Sequence, residues 1–171
     1  MNHRIQAFKE LLAERGYRVT PQRVGIYEYL VTTDEHPSAE EIYRALQDRY
    51  PTMSPATVYK TLDLLVELGL VGELAFGGEV TRYDGRPGLH VNMICVRCRR
   101  ITDLPMEGLE VVAQAAREQT GFQVLRERHE VYGICPSCQK GNQARPAASD
   151  LATDNSHVFR HMEDHHPQEV G

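Results

Sequence analysis

Four cysteines form two Cys-x-x-Cys pairs, Cys95 with Cys98 and Cys135 with Cys138. The two-residue spacer lets both thiolates of a pair turn toward one ion. Two pairs complete a tetrahedral shell of four sulfurs, the donor set of structural zinc. Thirty-six residues separate the pairs, so the ion would staple segments far apart in the chain. Buried free thiols and a thioredoxin-like redox pair are the other readings. A redox pair needs only one Cys-x-x-Cys, opening a helix after a strand. The doubled motif favours zinc.

A second set of donors crowds the same region. The stretch GLHVNMICVRCRRITD, residues 88–103, carries His90, Asn92 and Asp103 around the first cysteine pair. Residues 89–96 read as a strand, whose side chains alternate between faces. His90, Asn92 and Ile94 then share one face, and Val91, Met93 and Cys95 the other. Two sites are expected rather than one. Alone, His90 reads equally as a hydrogen-bonded surface histidine, so it needs partners from elsewhere.

The elements that must position these residues can be read from capping and periodicity. The N-terminal MNHRIQAFKELLAERGY is an amphipathic helix. In RVTPQR, Thr20 caps and Pro21 opens a helix to about Val31 with Ile26, Tyr27 and Leu30 on its apolar face. Ser38 starts AEEIYRALQDRY, with Ile42, Ala45 and Leu46 at helical spacing. Ser54 and Pro55 start a further helix, with Val58, Leu62, Leu65 and Leu68 in a stripe and Gly69 as its stop. Two short strand-like runs then flank Gly77-Gly78, a hairpin signature.

Three helices and a hairpin are the layout of a winged helix, whose third helix enters the DNA major groove. Ser54, Thr57, Tyr59, Lys60 and Thr61 are then expected to face DNA, with Arg15, Arg18 and Arg23 completing a local basic stripe. The charge does not advertise it. The whole chain of 171 residues has a formal net charge of −5, and residues 1–85 hold nine Lys/Arg against thirteen Asp/Glu. A solvated helix face is the competing reading.

The second half reads differently. HVNMICV, RRITDLP and FQVLRERHEVYGIC are expected strands, and MEGLEVVAQAAREQTGF a helix before the last of them. The fold class is α+β: an N-terminal winged helix with hinge (1–84), an α/β dimerisation and metal-binding domain (85–140), and a flexible tail (141–171) holding His157, His161, His165 and His166. An open sheet edge offers a dimer surface. Glu127 and Glu130 are read as solvent-facing strand residues. No apolar run is long enough for a signal peptide core or a membrane span, so the cytoplasm is expected. No H-E-x-x-H, nucleophile elbow or P-loop occurs, which argues against a metallohydrolase or any other enzyme and against a small-molecule substrate.

VTPQR, HPSAEEIY, SPATVYKTLDLLVELGLV, RYD, HVNMICVRC, ITD and YGICPSC resemble, in order, the ferric uptake regulator family across about residues 5–140. The resemblance implies a dimeric, metal-dependent bacterial repressor that binds an inverted repeat in double-stranded DNA. It also implies structural zinc on the four cysteines, and a regulatory Fe²⁺ or Mn²⁺ held by His36, Asp84, His90, Asn92 and Asp103. Histidine and carboxylate ligands suit those ions, as thiolates suit zinc. The chain departs from the family's usual His-x-His by having Asn92, which is either a weaker amide ligand or no ligand. The aspartates at 84 and 103 resemble the peroxide-stress branch, in which iron-driven oxidation strikes histidines at the positions of His36 and His90. A regulator of iron, manganese or zinc uptake is the alternative.

Overall fold

The computed structural model describes residues 2–75, 80–86 and 88–140, which form two compact units dividing after Arg86. The His-containing tail and the Gly77-Gly78 turn lie outside the described residues.

The first unit is built from α1 (Asn2–Glu14), α2 (Pro21–Thr32), α3 (Ala39–Leu46), α4 (Pro55–Glu67), β1 (Gly72–Leu74) and β2 (Arg82–Asp84). Each of α2, α3 and α4 begins where a hydroxyl meets an orphan amide. Thr20 accepts from the Arg23 N–H, Ser38 from Glu41, and Ser54 from Thr57. At α3 the Glu41 carboxylate also reaches back to the Ser38 amide, closing a capping box worth about 1 kcal/mol. Phe8, Leu12, Ile26, Leu30, Ile42, Val58, Leu62 and Leu65 are buried together, and the Phe8 and Tyr27 rings meet with centroids 4.4 Å apart. Ala45 is exposed despite its helical spacing, while Ile42 and Leu46 of the same helix are buried. β1 and β2 pair antiparallel, and a bridge from Ser38 to Arg82 adds the start of α3 to this wing.

The second unit holds β3 (Val91–Cys95), β4 (Ile101–Leu104), α5 (Glu110–Thr120), β5 (His129–Gly133) and α6 (Pro136–Lys140). β3 is the central strand, antiparallel to β4 and parallel to β5. α5 supplies the crossover that a parallel pair requires. Its expected start at Met106 is delayed to Glu110, after Gly108 adopts φ +80°, and Gly121 in the left-handed region ends it. The last strand also begins late. Residues 122–128 have the composition of a strand, but β3 begins only at Val91, paired with His129, so the earlier residues find no ladder. Among the described residues no helix is long and apolar enough to cross a membrane.

Candidate metal centres

Cys95 ends β3 and Cys98 follows after a tight turn, while Cys135 and Cys138 straddle the start of α6. The turn is made by the Arg99 N–H donating to the Cys95 carbonyl at 2.9 Å and the Cys95 N–H donating to the Arg100 carbonyl at 2.9 Å. It forces Arg99 to φ +59°, a conformation that favours glycine. Arg97 donates to the Cys138 carbonyl at 2.8 Å, tying one knuckle to the other. All four sulfurs lie within 4.8 Å of one another, and Cys98 Sγ is 3.7 Å from Cys135 Sγ. A tetrahedron with Zn–S bonds of about 2.3 Å has edges of about 3.8 Å. The spacing is therefore that of a zinc cage, and far longer than a disulfide.

The protons agree. Burial raises the Cys95 thiol, but the backbone N–H groups of Cys135, Cys98 and Arg97 outweigh it and bring the group down to about 6. Hydrogen bonding to Cys135 and Cys98 pushes Cys138 up to about 12. Four thiolates this close cannot all ionise on their own, and a divalent cation is what lets them do so.

The other donors come in two groups, one in each unit. In the first unit His36 is 6% exposed, and its Nε2 lies 3.9 Å from Asp84 Oδ1. The same carboxylate oxygen accepts from the Arg86 N–H at 2.8 Å. In the second unit Asn92 and Asp103 are direct partners across β3 and β4. His90 precedes β3, and its Nδ1 is 3.2 Å from the Gly88 carbonyl oxygen. With the proton on Nδ1, the lone pair sits on Nε2, the nitrogen for coordination. Asn92 is 5% exposed, and its Oδ1 is buried with no hydrogen-bond partner among the described residues. An acceptor in that state costs about 1–3 kcal/mol unless a positive group meets it. The donor chemistry of both groups fits a divalent ion of the Fe²⁺ or Mn²⁺ kind.

On α4, Tyr59 is 48% exposed and Lys60 is exposed beside it. Ser54 and Thr57 also lie at the helix start, where their hydroxyls meet at 3.0 Å. Arg23 donates to the Arg18 carbonyl at 2.7 Å, and Arg18 itself is exposed. Thr61 does not face outward. It is 1% exposed and donates to the Thr57 carbonyl at 2.7 Å, because it falls on the stripe that packs against the core. Glu127 and Glu130 are not solvent-facing either. Glu127 lies 3.7 Å from His129, and Glu130 is engaged by Arg128 and by the Tyr132 hydroxyl.

A helical unit with a wing, followed by an α/β unit with thiolate and imidazole–carboxylate donors, defines a metal-binding transcription regulator rather than an enzyme. The chain belongs to the ferric uptake regulator family, whose model matches residues 14–132. It is similar to the peroxide operon regulator of Bacillus subtilis, 44% identical over 138 residues that cover 81% of this chain and 95% of that protein. It is also similar to the peroxide-responsive repressor of Staphylococcus epidermidis, 37% identical over 143 residues, covering 83% and 95%. The Helicobacter pylori ferric uptake regulator shares the fold at 19% identity, with a TM-score of 0.68 over 84% of this chain and 97% of that one. A zinc uptake regulator solved with zinc and DNA matches at 26% identity and a TM-score of 0.54, covering 81% and 94%.

Proposed function

We propose that this chain is a dimeric repressor of peroxide-stress genes whose DNA binding depends on one regulatory ion. That ion, Fe²⁺ or Mn²⁺, is held by His36 and Asp84 from the first unit and by His90, Asn92 and Asp103 from the second. Zinc on Cys95, Cys98, Cys135 and Cys138 is structural. Tyr59 and Lys60 reach into the major groove, with Ser54, Thr57, Arg18 and Arg23 near the phosphates. Dimerisation through the second unit is supported by its exposed apolar side chains, among them Met106, Val112, Phe122, Leu125 and Val131, and by β5 lying at a sheet edge. A two-fold dimer calls for an inverted repeat in the operator. The protein works where the chromosome is, in the cytoplasm.

The observation that carries the reading is the buried Asn92 amide oxygen opposite Asp103, an acceptor that a cation satisfies. Fe²⁺ held there would supply the redox chemistry by which hydrogen peroxide delivers one oxygen atom to the ring of His36 or His90, the other oxygen leaving as water, and the oxidised imidazole would be a poor ligand. The regulatory ion would then be lost, and repression would fall.

The test compares Fe²⁺- and Mn²⁺-loaded protein before and after brief peroxide, by mobility shift on a promoter palindrome and by mass spectrometry of tryptic peptides. One added oxygen on the His36 or His90 peptide, with iron only and with loss of DNA binding, is the expected result. DNA binding that persists with both peptides unmodified rejects it. Asn92 also favours a second reading, since an amide is a weaker donor than imidazole. A metal-uptake regulator would follow free metal concentration and ignore peroxide.

A further inference from the structure

His36 stands on an irregular turn between α2 and α3, where no helix or strand of its own holds it. What fixes it is the strand that carries Asp84. Arg82 Nη1 donates to the His36 carbonyl at 2.9 Å. The next carbonyl, that of Pro37, accepts from the Tyr83 N–H at 3.0 Å. The same Arg82 nitrogen lies 3.4 Å from Glu41 Oε2, and that oxygen accepts from the Ser38 N–H at 2.7 Å. The Ser38 amide bond and, less strongly, the Arg82 charge hold the Glu41 carboxyl below its ordinary range. One guanidinium, one backbone amide and one carboxylate thus hold three consecutive residues, His36 to Ser38, beside β2. Asp84 sits two residues further along that strand, on the same face as Arg82.

We infer that Arg82 and Glu41 are positioning residues for the regulatory ion: they set the His36 backbone so that its imidazole and the Asp84 carboxylate meet one cation. The inference rests on the reading of His36 and Asp84 as ligands. Neither Arg82 nor Glu41 offers an atom to the ion. A cationic guanidinium near a cation site opposes binding by its charge, so its contribution is through geometry. Outer partners of metal ligands typically contribute about 10–100-fold in affinity.

The experiment uses the full-length, zinc-loaded protein and Mn²⁺ as the probe, with free Mn²⁺ read by electron paramagnetic resonance. Arg82→Gln is expected to weaken Mn²⁺ binding about 10-fold or more, and Arg82→Lys to recover part of the loss. Glu41→Gln keeps an acceptor for the Ser38 amide, so α3 stays capped, yet it loses the charge that orients Arg82. It is expected to weaken Mn²⁺ binding about 10-fold, at the lower end of that range. The melting temperature of the Mn²⁺-free protein and its zinc content should stay at wild-type values. Should Arg82→Gln fail to fold, Glu41→Gln decides alone. His36→Ala and Asp84→Ala run in parallel. If these two leave Mn²⁺ affinity unchanged, the ligand reading fails. If they abolish binding while Arg82→Gln and Glu41→Gln bind like wild type, or lose affinity only as their melting temperature falls, the positioning inference is overturned.

Discussion

The four-sulfur centre and the imidazole–carboxylate donors are assembled by opposite means. Each cysteine pair sits on a local turn, Cys95 and Cys98 around the Arg99 turn and Cys135 and Cys138 at the start of α6, with the Cys135 amide and Arg97 joining the two. The other donors depend on distant partners. Asp84 owes its place to a wing strand, and His36 to an arginine 46 positions away in sequence. A site made of local turns is stable and closed. One made of tertiary hydrogen bonds can yield when a single contact goes, which would suit the switching role proposed for it.

The largest effect should come from opening the closed centre. Cys95→Ser leaves three thiolates, too few for the tetrahedron, and should cost the zinc and on the order of 5 kcal/mol or more of stability in the second unit. Zinc by plasma emission and melting temperature check this together. A variant that keeps both would break the contrast, because the sulfurs would then be incidental.

A smaller effect is expected at the yielding centre. Asn92→His replaces an amide oxygen with an imidazole nitrogen and should tighten Fe²⁺ binding about 10-fold, since imidazole suits iron whereas carbonyl oxygen suits the harder Mn²⁺. Zinc content should not move. Equal affinity in the two proteins would remove position 92 from the ligand set and leave His36, Asp84, His90 and Asp103.

The smallest effect sharpens the claim that the zinc knuckle is a backbone device. Arg99 is held at φ +59°, where a side chain costs about 1–2 kcal/mol. Arg99→Gly should relieve part of this, offset by the freedom glycine adds to the unfolded chain. A net gain of about 0.5–1 kcal/mol corresponds to roughly 1–4 °C in melting temperature. A fall instead would mean that the arginine side chain, not the backbone, matters in the turn.

Legibility followed the same division. The cysteine spacing and the Thr20-Pro21, Ser38 and Ser54-Pro55 helix starts lie within a few residues of what they determine, and they could be read directly. The alternation along β3 separated Asn92 from Cys95 for the same reason. What required the fold was register: β5 begins at His129 only because β3 begins at Val91, and that brings Glu127 beside His129 instead of into solvent. Thr61 turned inward because its place on α4 depends on which stripe meets the core, one residue from the exposed Lys60. The His36–Asp84 approach was carried in the sequence only by family resemblance. Nothing in HPSAEEIY or RYD, taken separately, announces that Arg82 joins them.

β2 is only three residues long, yet its middle residue and its outer two look in opposite directions. Arg82 and Asp84 serve the His36 turn, while Tyr83 enters the helical core, where burial and then the charges of Glu73 and Asp63 and the nearby Tyr59 hydroxyl raise its phenol. Asp63 and Tyr59 belong to α4, so under the proposed function the same strand lies near both the ion's ligands and the helix that would read DNA. Thermodynamic reciprocity then applies: whatever factor the ion adds to operator affinity, the operator must add to ion affinity. A promoter-bound repressor should hold its metal more tightly than a free one, and so be the last copy in the cell to lose it.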